Sequence, residues 1–154
     1  MPIGVKTIYI DSSVKIVYDF CRNPENLGNT PLGMPDNREV VGNGDAGTMV
    51  RFPFSINGRS STCLLEIIET NIDDKGFKTK YKLISELEGE EIGATQTEIG
   101  MPKGRGCEFT VVYEYTIPDS LLGNPAEKQS FEKNMENDYF QSLNKLKRSC
   151  EALK

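Results

Sequence analysis

The chain has 154 residues and a net charge of −5. That length favours one domain, 1–154, with room for a real core, and an acidic balance argues against nucleic acid or an anionic membrane surface as the main partner, because both require a cationic face. No histidine is present, which removes Ser-His-Asp and Cys-His catalysis and every metal site built on imidazole. In chain order, Val5 to Ile10 is a β-rich run. Ser12 or Ser13 then caps a helix whose Val14, Val17, Tyr18 and Cys21 share one face. Asn23-Pro24 ends it, since a residue before proline is pushed out of the α region. The chain therefore opens as strand, short helix and break.

Strands follow, separated by turn chemistry. Met49 to Ile56 and Ser60 to Thr70 flank Asn57-Gly58, a strong hairpin signal because both positions tolerate positive φ. After Asp73-Asp74-Lys75-Gly76, the residues Phe77, Thr79, Tyr81 and Leu83 alternate with Lys78, Lys80 and Lys82, so one face is wet and the other buried. Glu88-Gly89 turns the chain into Ile92 to Met101, a polar, threonine-bearing strand. Beyond Pro102 to Gly106 comes CEFTVVYEYTIP, with Phe109, Val111, Tyr113 and Tyr115 on one face. Residues 49 to 117 are expected to form a continuous antiparallel meander.

After Pro118 the period changes to about 3.6. Asn124-Pro125-Ala126-Glu127 combines an N-cap, proline at the first helical position and a glutamate placed to reach back to the cap. Phe131, Met135, Tyr139, Leu143, Leu146, Cys150 and Leu153 then hold one stripe. Such a helix is roughly 40 Å long at 1.5 Å per residue, and its apolar stripe must lie along the sheet. The pattern is α+β: a curled antiparallel sheet closed by a long C-terminal helix.

Cys21, Cys63, Cys107 and Cys150 are far apart with no CxxC pair, so reduced, packed thiols are expected rather than a metal or disulfide framework. No apolar run approaches the ~20 residues of a membrane span, and Met1-Pro2-Ile3-Gly4 lacks the charged and apolar regions of a signal peptide. A cytoplasmic protein without integral membrane association is expected, with a monomer favoured and no cofactor.

The element order, together with IDSSVKIVYDFCRNPENL near the start, VVGNGDAGTMVRF after the break and SLNKLKRSCE at the end, resembles the START-like, helix-grip superfamily, also called SRPBCC. That superfamily includes the polyketide cyclase/dehydratase and lipid-transport family and the birch-pollen-allergen relatives. The resemblance implies a short helix pair plugging one end of the curled sheet, and a cavity between sheet and helix. It implies a fold more sharply than a function, because the superfamily holds carriers, receptors, cyclases and co-chaperone-like modules.

Gly42, Gly44 and Gly47 satisfy GxGxxG, but dinucleotide binding needs a helix N-terminus after the glycines, and here extended chain lies on both sides. The stretch is read as a loop between strands, similar to the loop at the cavity mouth of the birch-pollen-allergen relatives. Strand parity gives the candidate ligand-binding wall: Tyr81, Phe109, Val111, Tyr113 and Tyr115 from the sheet, Met135 and Tyr139 from the helix, and Phe52 and Phe54. Packing of these residues against one another as core is the alternative. Glu66 is placed on the convex surface in preference to a buried site, and Arg51, flanked by Met49 and Pro53, at an edge with outward side chains. No catalytic constellation emerges. The expected function is binding of a hydrophobic or amphipathic small molecule such as a lipid, quinone or polyketide-like compound. The rivals are a cyclase/dehydratase-type enzyme using Tyr113, Tyr81 or Glu66, and a protein-interaction module.

Overall fold

From residue 49 to residue 116 each strand-to-strand connection spans two residues, and this fixes the order of the five strands so joined. A computed structural model describes residues 3–56, 58–87 and 89–153. Seven strands, β1 (Ile3–Ile10), β2 (Glu39–Val41), β3 (Met49–Ile56), β4 (Arg59–Asp73), β5 (Gly76–Leu87), β6 (Glu90–Lys103) and β7 (Gly106–Thr116), form one antiparallel sheet in the order β1-β7-β6-β5-β4-β3-β2. Gly58 closes the first tight connection at φ 81°, where a side chain would be strained, while Asn57 and Glu88 lie outside the described residues. The third to seventh strands thus form the expected meander, and β1 pairs with β7 through Ile3↔Glu114 to Ile10↔Cys107. The strands run longer than their apolar patterns, because register pairing carries β4 and β5 out to Asp73↔Gly76.

The helices occupy one face. Ser13 caps α1 (Val14–Arg22) by accepting from the Ile16 amide at 3.2 Å, and Asn23 ends α1 while capping a 3₁₀ helix, Pro24–Asn29. A single-turn helix α2 (Asp119–Leu122) precedes α3 (Pro125–Glu151), which starts with the predicted capping box between Asn124 and Glu127. The Ser12 hydroxyl donates to the Cys150 carbonyl at 3.3 Å, fastening the end of β1 to the last turns of α3. At that end Ile10, Val17, Phe20, Phe109, Leu143 and Leu146 make a fully packed core, and Cys21, Cys107 and Cys150 join it as free thiols. This is the closed end.

The glycine loop runs from β2 into β3, so a strand and not a helix N-terminus follows Gly47. It is tied down rather than loose. The Arg22 guanidinium pairs with Asp45 and donates to the Gly44 carbonyl, and the Thr48 hydroxyl accepts from the Gly44 amide at 3.0 Å. Among the described residues no helix is long and apolar enough to cross a membrane.

Candidate functional site

Three zones succeed one another along the face of the sheet beneath α3. The first is the packed closed end, which takes in two residues of the predicted wall. Phe109 and Val111 are fully buried there among α1 and the last turns of α3. Parity correctly turned them inward, but α1 supplies a third layer over them, so they meet packing atoms rather than a hollow.

The second zone is polar. Gln96 and Glu98 of β6 point to the same face as Ile92, and both are buried. The Tyr81 hydroxyl donates to Glu98 Oε1 at 3.0 Å, the Gln96 amide donates to Glu98 Oε2 at 3.4 Å, and the Tyr139 hydroxyl of α3 donates to Gln96 Oε1 at 2.6 Å. Beside this chain the Thr79 hydroxyl pairs with that of Thr70 at 2.8 Å, and Thr70 with that of Tyr18 at 3.0 Å. Every buried side-chain polar atom described has a partner. Tyr139 also stacks on Tyr113, with ring centroids 3.9 Å apart and planes 8° from parallel. Tyr113 can lean across β1 because its partner in register is Gly4, where a Cβ would stand 2.0 Å from the ring.

Glu98 carries the chemistry of this belt. It has no exposed surface, and burial pushes its carboxyl up to about 7, partly opposed by the hydrogen bonds from Tyr81 and Gln96 that favour the ionised form. Burial likewise holds the Tyr81 and Tyr139 hydroxyls well above the usual phenol range. No cation offsets Glu98 among the described residues. Sequence reasoning missed this residue: Thr95 to Glu98 is polar on both parities, and hydropathy alone gives no inward side. The available signal was register with Ile92 and Gly100, which places Gln96 and Glu98 on the inner face.

The third zone is an apolar hollow of about 230 Å³ at the open end, between β3 to β7 and the first half of α3. Phe52, Phe54, Tyr115 and Met135 of the predicted wall line it, together with Leu83, Ile92 and Phe131. Tyr115 meets Phe131 edge-on at 5.8 Å. Two more open spaces flank α3. A groove of about 660 Å³ runs between the 28–33 segment and α3, bordered by Leu32, Tyr139, Lys145 and Arg148. A hollow of about 540 Å³ lies at β1 and β7, bordered by Gly4, Tyr113 and the Lys6–Glu136 ion pair, whose atoms are 2.8 Å apart. Met135 borders all three spaces. The predicted wall is thus divided: Phe52, Phe54, Tyr115 and Met135 meet at the hollow, Tyr81, Tyr113 and Tyr139 form the polar belt next to it, and Phe109 and Val111 are core. Glu66 is half-buried on the opposite face, opposite Lys82 in register, and Arg51 is exposed.

No family profile matches the sequence, and neither does any curated relative. Solved structures do match. Protein TTHA0849 of Thermus thermophilus is similar over 99% of both chains at 23% identity and a TM-score of 0.70. The Zhui aromatase/cyclase of a Streptomyces species is similar over 97% of this chain and 93% of its own, at 12% identity and a TM-score of 0.70. A norcoclaurine synthase of Thalictrum flavum, solved with a transition-state analogue, is similar over 97% and 93% at 14% identity and a TM-score of 0.66. With a seven-stranded antiparallel sheet laid against one long C-terminal helix, the chain shares the helix-grip fold of these solved structures.

Proposed function

We propose that the protein binds a small hydrophobic or amphipathic molecule, of the lipid, quinone or polyketide-like kind, in the hollow between sheet and α3. One observation carries this reading: the interior is packed at the closed end, yet at the open end an apolar hollow of about 230 Å³ opens beside a buried polar belt. An apolar wall with a few convergent polar groups is the usual make-up of a ligand site. The volume lies below the ~300–1,000 Å³ of drug-sized sites, so a single fused-ring system or a short acyl chain fits it as it stands. Longer ligands require Met135, an adaptable side chain, to swing aside and join the neighbouring spaces. The reading treats residues 1–154 as one domain and the protein as a cytoplasmic monomer that needs no cofactor.

Native mass spectrometry of the purified protein tests it. A bound small molecule that survives gentle ionisation and leaves on denaturation is expected. The absence of both an adduct and any enhanced fluorescence of a hydrophobic probe added to the native protein would remove the reading.

A cyclase/dehydratase-type enzyme is the second reading, and Glu98 favours it: a buried carboxyl held near pH 7 is poised to give or take a proton at physiological pH. That role passes to Glu98 from Glu66, which lies on the other face of the sheet, and Tyr81 stays as its hydrogen-bond donor. Turnover of an aromatic polyketide-like substrate, lost in Glu98→Gln while binding persists, is the expected sign of catalysis.

A further inference from the structure

The chain Tyr139–Gln96–Glu98–Tyr81 has an arrangement that depends on one proton. With Glu98 ionised, both its oxygens accept, from Tyr81 and from the Gln96 amide nitrogen. Gln96 then offers its own oxygen inward to the Tyr139 hydroxyl. In this state the Tyr139 hydrogen is used inside the protein, and its oxygen has only lone pairs left for anything outside. When Glu98 gains a proton on Oε2, that oxygen becomes a donor, and its hydrogen-bond partner among the described residues is Gln96. Satisfying that donor requires the Gln96 amide to turn over, so that its oxygen accepts from Glu98 and its nitrogen donates to Tyr139. Tyr139 then accepts from within, and its hydrogen is free to point outward. Tyr81 donates to Glu98 Oε1 in both states, so no buried polar atom is left without a partner in either.

We propose that Glu98 and Gln96 set the hydrogen-bonding polarity of the Tyr139 hydroxyl, so that the site, where it extends past Met135 into the groove that Tyr139 borders, takes apolar ligands carrying a carbonyl acceptor when Glu98 is protonated and rejects them when it is ionised. The inference rests on the ligand-binding reading above. Tyr139 is placed for the task, because it borders the groove beside α3, one helical turn beyond Met135. Ligands that carry a hydroxyl, both donor and acceptor, satisfy Tyr139 in either state. A pure hydrocarbon is indifferent to it. The titratable groups that face Glu98 are Tyr81 on β5, Cys21 on α1 and Tyr139 on α3, and Tyr18 on α1 faces Tyr81. Burial raises the Cys21, Tyr81 and Tyr139 groups, so those three stay neutral through the range in which Glu98 changes, and no lysine or arginine is among the groups that shift Glu98.

The test measures dissociation constants of naphthalene, 2-acetylnaphthalene and 2-naphthol by fluorescence, from about pH 5.5 to about pH 8.5, for wild type, Glu98→Gln and Tyr139→Phe. For wild type, 2-acetylnaphthalene is expected to bind about tenfold more tightly at the acid end, the difference one hydrogen bond makes, while naphthalene changes less than twofold. Glu98→Gln, whose amide donates permanently, is expected to hold 2-acetylnaphthalene tightly at every pH. Tyr139→Phe is expected to bind it at the weaker level throughout. Naphthalene bound with no pH effect on 2-acetylnaphthalene, or an effect that persists in Glu98→Gln, would overturn the switch and leave the binding site standing. Failure of all three compounds to bind would overturn both.

Discussion

The two halves of α3 lie on the same sheet and carry the same apolar stripe, yet one half is core and the other is a lid. Leu143, Leu146 and Cys150 are buried against Ile10, Phe109 and Val111, with α1 as a third layer. Phe131, Met135 and Tyr139 are only partly buried, because the element over the open end is α2, a single turn of four residues. Spacing on a helix fixes which face turns inward. It does not fix how much material waits there, and that depends on elements distant in sequence.

The sharpest way to break this contrast is to delete the same kind of bulk at each end. Leu146→Ala leaves a cavity among close-packed neighbours and is expected to lose about 3 kcal/mol, within the range for buried leucines. Met135→Ala borders space that is already open and is expected to lose about 1 kcal/mol or less. Equal losses in urea melts would mean that the open end is as filled as the closed one.

Between the two ends, Glu98 ties stability to pH. Its folded carboxyl titrates at about 7 against an ordinary value of 4.5, so between those values the folded state holds more protons than the unfolded one. Stability therefore falls as pH rises through that window and levels off above it. At about 1.4 kcal/mol per pKa unit the ceiling of this effect is ~3 kcal/mol. Glu98→Gln, which keeps the shape without the charge, is expected to melt like wild type near pH 4 and to be more stable by about 2 kcal/mol at pH 8. Parallel pH profiles for the two proteins would show that Glu98 is solvated in the folded state.

Two glycines extend the comparison. A Cβ at Gly100 would stand 2.1 Å from the Phe77 ring in the closed-end core, and one at Gly4 would stand 2.0 Å from the Tyr113 ring beside an open hollow. The clashes are alike, but only Tyr113 has room to retreat. Gly100→Ala is expected to lose about 2 kcal/mol and Gly4→Ala about half of that, measured by thermal melts.

Much of this architecture was legible in the sequence. Turn chemistry and period-2 alternation gave the meander, and the Asn124–Glu127 box with its stripe gave the start and direction of α3. The short segment Glu39–Val41 pairs with β3 where the sequence offered only extended chain, since three residues are too few for a period. The lining of the hollow was legible in part. Phe52, Phe54, Tyr115 and Met135 were turned to the inner face because apolar residues announce it, whereas Gln96 and Glu98 were not, because polar residues announce an outer one and only register reverses that inference. Phe109 and Val111 were placed on the correct face at the wrong depth, for want of any sign in β7 that α1 would cover them.

The smallest expected effect tests the seam between the belt and the groove beside α3. Tyr139→Phe removes one hydroxyl and leaves the ring stacked on Tyr113. The lost partner is Gln96 Oε1, a buried acceptor that receives the hydrogen bond at 2.6 Å, so a loss of about 1 kcal/mol is expected from an otherwise isosteric change. Were the belt as dry as the closed end, leaving that acceptor unpaired would cost up to ~3 kcal/mol, because no water could reach it. A loss near 1 kcal/mol means that water from the adjoining groove, which Tyr139 borders, replaces the missing donor. Denaturant melts of Tyr139→Phe therefore read the wetness of the belt directly: a small loss keeps it continuous with the open end, and a large one assigns it to the core.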